Sequence, residues 1–464
     1  MASQSAELVS NLEESKWTSV HTWSLVAFSF GMLLENYIYS MSYYATAWFS
    51  VGGALAEALL IWAPLWLIIG IMIAGPISDR IGRKTTFYLT MTLYAIGAVG
   101  IAFTSSLAAT LPFLAILLLA AGGEMNTIMT ATHEIMPRKH RSKAAFWEIN
   151  CINLGGVVLA TVGLVSTNFV YSTTPSVVRF EREMIGAAAL LIVAALFFAR
   201  LKMPESVRWL SATGQHDKAG EVSAKYFGNI SQSQSSSKTA QTAPTLGKMP
   251  SKWFRFIIAV AVAGANAVGY GLFVLVLPSS STVLSAHFPT ILLTANLTEF
   301  IVGIGVTLLA DRWSRKGFLL VSFIGTVLFT LAAYFTIGTW ENNLDFFYAL
   351  MVLANIFISI SYLTEDTLKA EFWNSKRRGT YLGLVRFISI GALIPVTLFV
   401  TGLSLGQGII FNAAVWIVGL VAAGVWFVKG VESGKGTSVG IWEEGQPQSV
   451  TAGVKPAVTE EVKN

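Results

Sequence analysis

GPISDRIGRKTTF, residues 75–87, sets Asp79, Arg80, Arg83 and Lys84 close together between two long apolar stretches. The pattern returns later in the chain: Asp79-Arg80-x-x-Arg83-Lys84 is echoed by Asp311-Arg312-x-x-Arg315-Lys316. Each copy is followed by an acid and an arginine at one common spacing, Glu134 with Arg141 in HEIMPRKHR and Glu371 with Arg378 in AEFWNSKRRG. A unit of sequence has been used twice with its charged punctuation in register, as in transporters built from internal repeats.

The chain between these loops is too apolar for water. Of its 464 residues 54% are hydrophobic and 12% charged, against roughly 25% charged in soluble domains. Many apolar runs reach the ~20 residues that a helix needs to cross a hydrocarbon core. Twelve spans are expected near 20–45, 55–78, 85–104, 110–136, 143–166, 183–201, 253–279, 287–310, 317–338, 346–370, 379–401 and 408–428. All should be helices, because lipid leaves unpaired backbone groups without partners and nothing alternates like barrel strands. The expected fold is therefore an all-α membrane protein with twelve transmembrane helices in two pseudo-symmetric six-helix bundles. Its parts are an N-terminal tail (1–19), a first bundle (20–202), a linker (203–252) containing NISQSQSSSKTAQTAPT, a second bundle (253–428) and a C-terminal tail (429–464).

Charge placement predicts orientation. All but three of the 31 Lys and Arg residues fall in the tails, the linker, the loops on the linker's side or the span ends that adjoin them. The exceptions are Arg179 and Arg182 on the opposite side, and Arg386, expected as the only basic residue inside a span. The positive-inside rule then puts both termini and the linker in the cytoplasm, with the plasma membrane as the expected location. The net charge of +5 is explained by topology and implies no nucleic-acid partner. The single Cys151 permits no intramolecular disulfide. Glu7, Glu13 and Glu14 precede the first span, where a signal peptide would carry basic residues.

These motifs resemble the major facilitator superfamily. GPISDRIGRK is similar to its loop motif G-x3-D-R-x-G-R-K. PESVRWL (204–210) matches the P-E-S-x-R-W-L of the sugar porter branch, and VESGKG (431–436) looks like a form of that branch's closing P-E-T-K-G. The resemblance implies that Asp79, Arg80, Arg83, Glu134, Arg141, Glu205 and Arg208, with Asp311, Arg315, Glu371 and Arg378, brace the cytoplasmic side as two gate clusters. A solvated turn is the simpler alternative for the same charges. A phosphate cradle is excluded, since GRKT lacks the P-loop glycine spacing.

An ionisable residue at mid-bilayer costs at least ~2.5–3.5 kcal/mol and marks function by default. Counting helical rise from the charged loops puts Glu124 roughly 15 Å deep, Glu299 roughly 18 Å and Glu35 roughly 20 Å, with Glu148, Glu365, Asp366 and Arg386 shallower. Glu35 and Glu124, on the first and fourth spans, have no basic partner evident in the sequence. Each is read as a proton carrier or as a neutral, hydrogen-bonded structural acid. Arg386 reads equally as the partner of a carboxylate on the preceding helix or as a substrate contact. Asn126, Glu148, Asn150, Asn153, Asn266, Tyr270, Glu299, Asp366 and Arg386 are the candidate cavity residues, with Asn296 a further polar group. GANAVGYG resembles the porters' seventh helix through Asn266 and Tyr270. Where that branch carries glutamines and a tryptophan, this chain has Val260, Ala261, Ile149 and Asp366, and its fourth-helix arginine is Leu114 here. GGEMNTIMTATHEIMP instead looks like branches that carry phosphate or organic acids.

The sequence therefore predicts a monomeric secondary transporter for a sugar or other small polar metabolite, coupled to protons, with no cofactor and no enzymatic activity. Organic cations, basic solutes and organic acids are the alternative cargoes. A transporter-like membrane sensor is the alternative from another class.

Overall fold

The computed structural model describes residues 12, 15–49, 51–137, 139–169, 175–227, 250–310, 312–373 and 378–433. Twelve long helices account for most of them, and no strand occurs among the described residues. The first six are α1 (Ser19–Trp48), α2 (Trp62–Ile81), α3 (Arg83–Phe103), α4 (Leu107–Ile135), α5 (Arg141–Phe169) and α6 (Pro175–Leu201). The second six are α7 (Lys252–Tyr270), α8 (Phe288–Leu309), α9 (Arg315–Phe335), α10 (Leu344–Glu371), α11 (Arg378–Val400) and α12 (Leu405–Lys429). Eleven helices are long and apolar enough to cross a membrane by length and composition. The other is α1, whose 30 residues include Glu35, Asn36 and many Ser and Tyr. Residues 31 to 38 of α1 are all buried. This helix can be polar because it faces protein on every side.

The outer surface is apolar, as lipid rather than water requires. Phe103 is 83% exposed, Leu191 73% and Phe335 77%. Polar side chains lie on the inside.

The opening motif folds as a tight corner. Gly82 joins α2 to α3 with φ of 93°, a conformation that residues with a Cβ avoid. A Cβ there would also run into the Glu205 carboxylate and the Trp209 ring. The same economy of space operates where the two bundles cross. Gly156 of α5 faces the Asn296 side chain of α8, while Gly303 of α8 faces the Asn150 side chain of α5.

Three boundaries differ from expectation. Helix α6 begins at Pro175, a residue suited to a first helical turn, so Arg179 and Arg182 lie on the helix rather than in a loop. Pairing explains this: Arg179 bonds Glu183 at 2.7 Å, and the Arg182 guanidinium lies 5.5 Å from the Phe49 ring. After Tyr270, α7 continues as a wider π-type turn over Gly271–Val276 and a short helix over Leu277–Ser280. The linker is partly folded, because helices Val207–Ala212 and His216–Phe227 bury Val207, Leu210 and Ala219 with Leu12. The stretch NISQSQSSSKTAQTAPT lies outside the described residues, as do Asp311 and the tail from residue 434 onward.

Candidate functional site

A cavity of about 80 Å³ lies between the bundles. Its polar lining comes from Glu35, Asn36 and Tyr39 of α1, Asn153 of α5, Tyr270 of α7, Glu299 of α8 and Tyr362 of α10. Leu67, Met125, Ile152, Ile390 and Leu393 supply most of the apolar remainder. Both bundles thus contribute, which is the arrangement a central transport site needs. Glu35 Oε2 and Glu299 Oε1 are buried without a hydrogen-bond partner among the described residues, and so is the Tyr270 hydroxyl. The Asn36 amide is already committed. Asn36 donates to Ile152 O (3.1 Å) and Asn296 Oδ1 (2.8 Å) and accepts from Ser40, while Asn153 donates to Asn150.

Beyond the cavity, towards the end of the molecule bearing most Lys and Arg, lies a buried ionic cluster. Arg386 of α11 donates to both carboxylate oxygens of Asp366 on α10 (3.1 Å each), and reaches Asn126 Oδ1 of α4 at 3.3 Å. Lys369 pairs with Glu365 at 2.9 Å and also with Asp366. Thr132 donates to Glu148 close by. The expectation that Arg386 is the only basic residue inside a span fails here, because Lys369 is 4% exposed and ion-paired within α10. Of the two readings of Arg386, the structure shows the carboxylate pair and places its guanidinium outside the cavity lining.

The pairing of Glu124 is a second correction. Its carboxylate forms a buried ion pair with Arg200 of α6 and accepts from Thr90 at 2.7 Å. Arg200 also donates to Phe87 O at 2.7 Å and packs over the Phe87 ring. Glu124 therefore has a basic partner and does not line the cavity. Among the other cavity candidates, Asn126, Glu148, Asn150, Asn266, Asp366 and Arg386 are buried between helices instead. Asn150 donates to Phe300 O at 3.0 Å, and Asn266 accepts from Ser361 at 2.7 Å. Glu35, Asn153, Tyr270 and Glu299 do face the cavity.

The charged loops form two related clusters. In the first, Arg83 bonds Glu134 (3.0 and 3.2 Å), Asp79 (2.8 Å) and Ser78 O (2.8 Å). Glu205 reaches across to accept from the backbone N–H groups of Arg83 (3.0 Å) and Lys84 (3.1 Å), capping α3. Burial pushes the Glu205 carboxyl above its ordinary value, while those N–H groups act the other way. Trp209 donates to Asp79 O at 2.9 Å. In the second cluster Arg315 lies 3.6 Å from Glu371, and Ser433 donates to Glu371 at 2.6 Å. Glu432 accepts from Arg315 N at 2.8 Å and from Ser314, capping α9 as Glu205 caps α3. Arg141 and Arg378 donate to Met136 O and Trp373 O, both at 3.3 Å. Arg80 is exposed, so its side chain stands outside the buried cluster. Sequence reasoning missed Glu432, although VESGKG had marked its segment, and missed Asn36, Tyr39 and Tyr362, which one sequence does not separate from ordinary packing residues.

The bundles meet at this basic end. Besides the Arg386–Asn126 contact, Gly379 of α11 packs near Asp79 and Thr130, and the Arg315 guanidinium lies 4.5 Å from the Phe146 ring. The sequence profile of the Major Facilitator Superfamily matches residues 23–394. This chain belongs to the major facilitator superfamily. It is a multi-pass membrane transport protein and not an enzyme. The superfamily fold is also shared with the proton:xylose symporter XylE bound to 6-bromo-6-deoxy-D-glucose. That structure superposes with a TM-score of 0.73 at 18% identity, covering 92% of this chain and 99% of its own. The "Probable metabolite transport protein CsbC" of Bacillus subtilis is 25% identical over 75% of this chain and 75% of its own. The "Glucose transporter GlcP" of Staphylococcus epidermidis is 24% identical over 75% and 78%.

Proposed function

We propose that this superfamily member carries a small polar metabolite together with protons by alternating access, its basic end facing the cytoplasm. The observation that carries the reading is the Glu35 carboxylate, buried on the cavity wall with one oxygen unpartnered. A carboxylate in that position is costly to keep charged, so protonation and release are linked to what fills the cavity. Arg386 and Lys369 interact electrostatically with it, so the charge of Glu35 is felt by the cluster that bridges the bundles. The two loop clusters act as the gate: they hold the helix ends together on the basic side while the cavity faces the other way. Opening requires the loss of Arg386–Asn126 and the parting of Arg315 from Phe146. Exposed ion pairs contribute only ~0–1 kcal/mol, whereas buried ones cost several kcal/mol to break, so the buried members dominate the bias. GlcP is named for glucose and XylE for xylose, so sugars head the panel of cargoes in the test.

The test is uptake into proteoliposomes across sugars, organic acids and amines, with and without an imposed pH gradient. Uptake should be driven by the gradient, and Glu35→Gln should abolish that drive while downhill exchange of cargo continues. Uptake indifferent to the gradient, or a Glu35→Gln variant coupled like the parent, would end the proton-coupling proposal.

A further inference from the structure

We propose that the cargo is a small amphipathic organic cation, a protonated or quaternary amine, held by the Glu299 carboxylate among Tyr39, Tyr270 and Tyr362. This deepens the carrier reading above and depends on it only in taking this cavity as the cargo site. The lining contains two carboxylates and no basic side chain. Its polar atoms left without partners include two carboxylate oxygens and one phenol. Its Asn36 amide is used up by neighbouring helices, which removes a group that could read the hydroxyls of a polyol. The cavity therefore offers acceptors to a donor-rich ligand.

The two acids differ in their surroundings. Glu35 already shares its electrostatic surroundings with the charges of Arg386, Asp366 and Lys369, so a cationic ligand there would compete with protein cations. Glu299 is 3% exposed and forms no ion pair among the described residues. A buried carboxylate without a protein counter-ion is costly when charged, and a cationic ligand supplies that counter-ion. Three tyrosines line the same cavity, an aromatic set of the kind that attracts an ammonium group, and Leu67, Met125 and Ile390 line it with apolar surface.

Binding is read without transport, from thermal unfolding of the purified full-length chain in detergent. The probes are phenethylamine and tetraethylammonium, with 2-phenylethanol, phenylacetate and xylose for comparison. Phenethylamine at millimolar concentration should raise the unfolding temperature and tetraethylammonium should also do so, whereas the neutral and anionic probes should not. Glu299→Gln should weaken amine binding about thirtyfold or more, the usual range for truncating one partner of a buried charge pair. Glu299→Asp should retain it. In the unmutated chain, phenethylamine should slow carbodiimide labelling of Glu299, read by peptide mass spectrometry, so the result does not hang on how a variant folds. No shift with either amine, a matching shift with 2-phenylethanol or xylose, or amine binding that survives Glu299→Gln overturns the proposal. Loss of pH-gradient coupling with intact amine binding would defeat the proton-coupling reading and leave this one standing.

Discussion

Replacing Asp366 with Asn tests the ionic cluster most directly. Arg386 is 2% exposed and spends two bonds of 3.1 Å on Asp366 and one of 3.3 Å on Asn126. With the acid neutralised, the guanidinium keeps only a neutral amide within bonding distance, while Lys369 retains Glu365 at 2.9 Å. Orphaning a buried charge by removing its partner costs about 3–5 kcal/mol, and the surviving amide contact favours the lower half of that range. Arg386→Met should cost less, because Lys369 still partners Asp366. The double variant Arg386→Met/Asp366→Asn removes both charges and should lose about 2–3 kcal/mol less than the sum of the single losses. Unfolding of the four proteins in detergent closes the cycle. Additivity within about 0.5 kcal/mol would refute the coupling, and with it the claim that these side chains act as one unit.

Three other outcomes follow from the same geometry. Gly82→Ala should destabilise the chain by about 1–3 kcal/mol from its φ of 93° with ψ of 163° alone, a region essentially confined to glycine, and more where the new Cβ displaces Glu205 from the α3 cap, measured by thermal unfolding. Glu432→Gln should weaken the α9 cap by about 1 kcal/mol and raise labelling of a cysteine introduced at Phe318, buried in the first turns of α9, whereas unchanged labelling would remove Glu432 from the gate. Glu124→Gln should lower the unfolding temperature by stranding Arg200, yet leave the pH-gradient dependence of uptake intact; loss of coupling instead would restore Glu124 as a proton carrier.

Much of this architecture was legible in the sequence because its causes are local. Apolar length dictates helices in lipid, and the repeated Asp-Arg-x-x-Arg-Lys loops mark the doubled bundle. Arg83 bonds Glu134, and Arg315 lies 3.6 Å from Glu371, among residues that the family resemblance had grouped together. The Arg200 partner of Glu124 and the Lys369 partner of Asp366 were not legible. Arg200 and Lys369 lie near the ends of their spans, where a count of charges along the chain assigns them to the loops. Their side chains are drawn inward by acids on other turns or other helices. Only three-dimensional placement separates Glu35 and Glu299, on the cavity wall, from Glu124 and Glu148, sealed between helices. All four are acids in apolar surroundings when read along the chain.

The two notches where α5 and α8 cross constrain how the bundles can move. Asn150 sits over Gly303, and Asn296 over Gly156, so each helix inserts one amide into a gap in the other. Sliding either helix along its neighbour would drive a residue with a Cβ against each amide. Turning about the line through the two notches meets no such obstruction. A relative motion of the bundles that keeps both notches filled is therefore a turn about this line, as on a hinge with two pins.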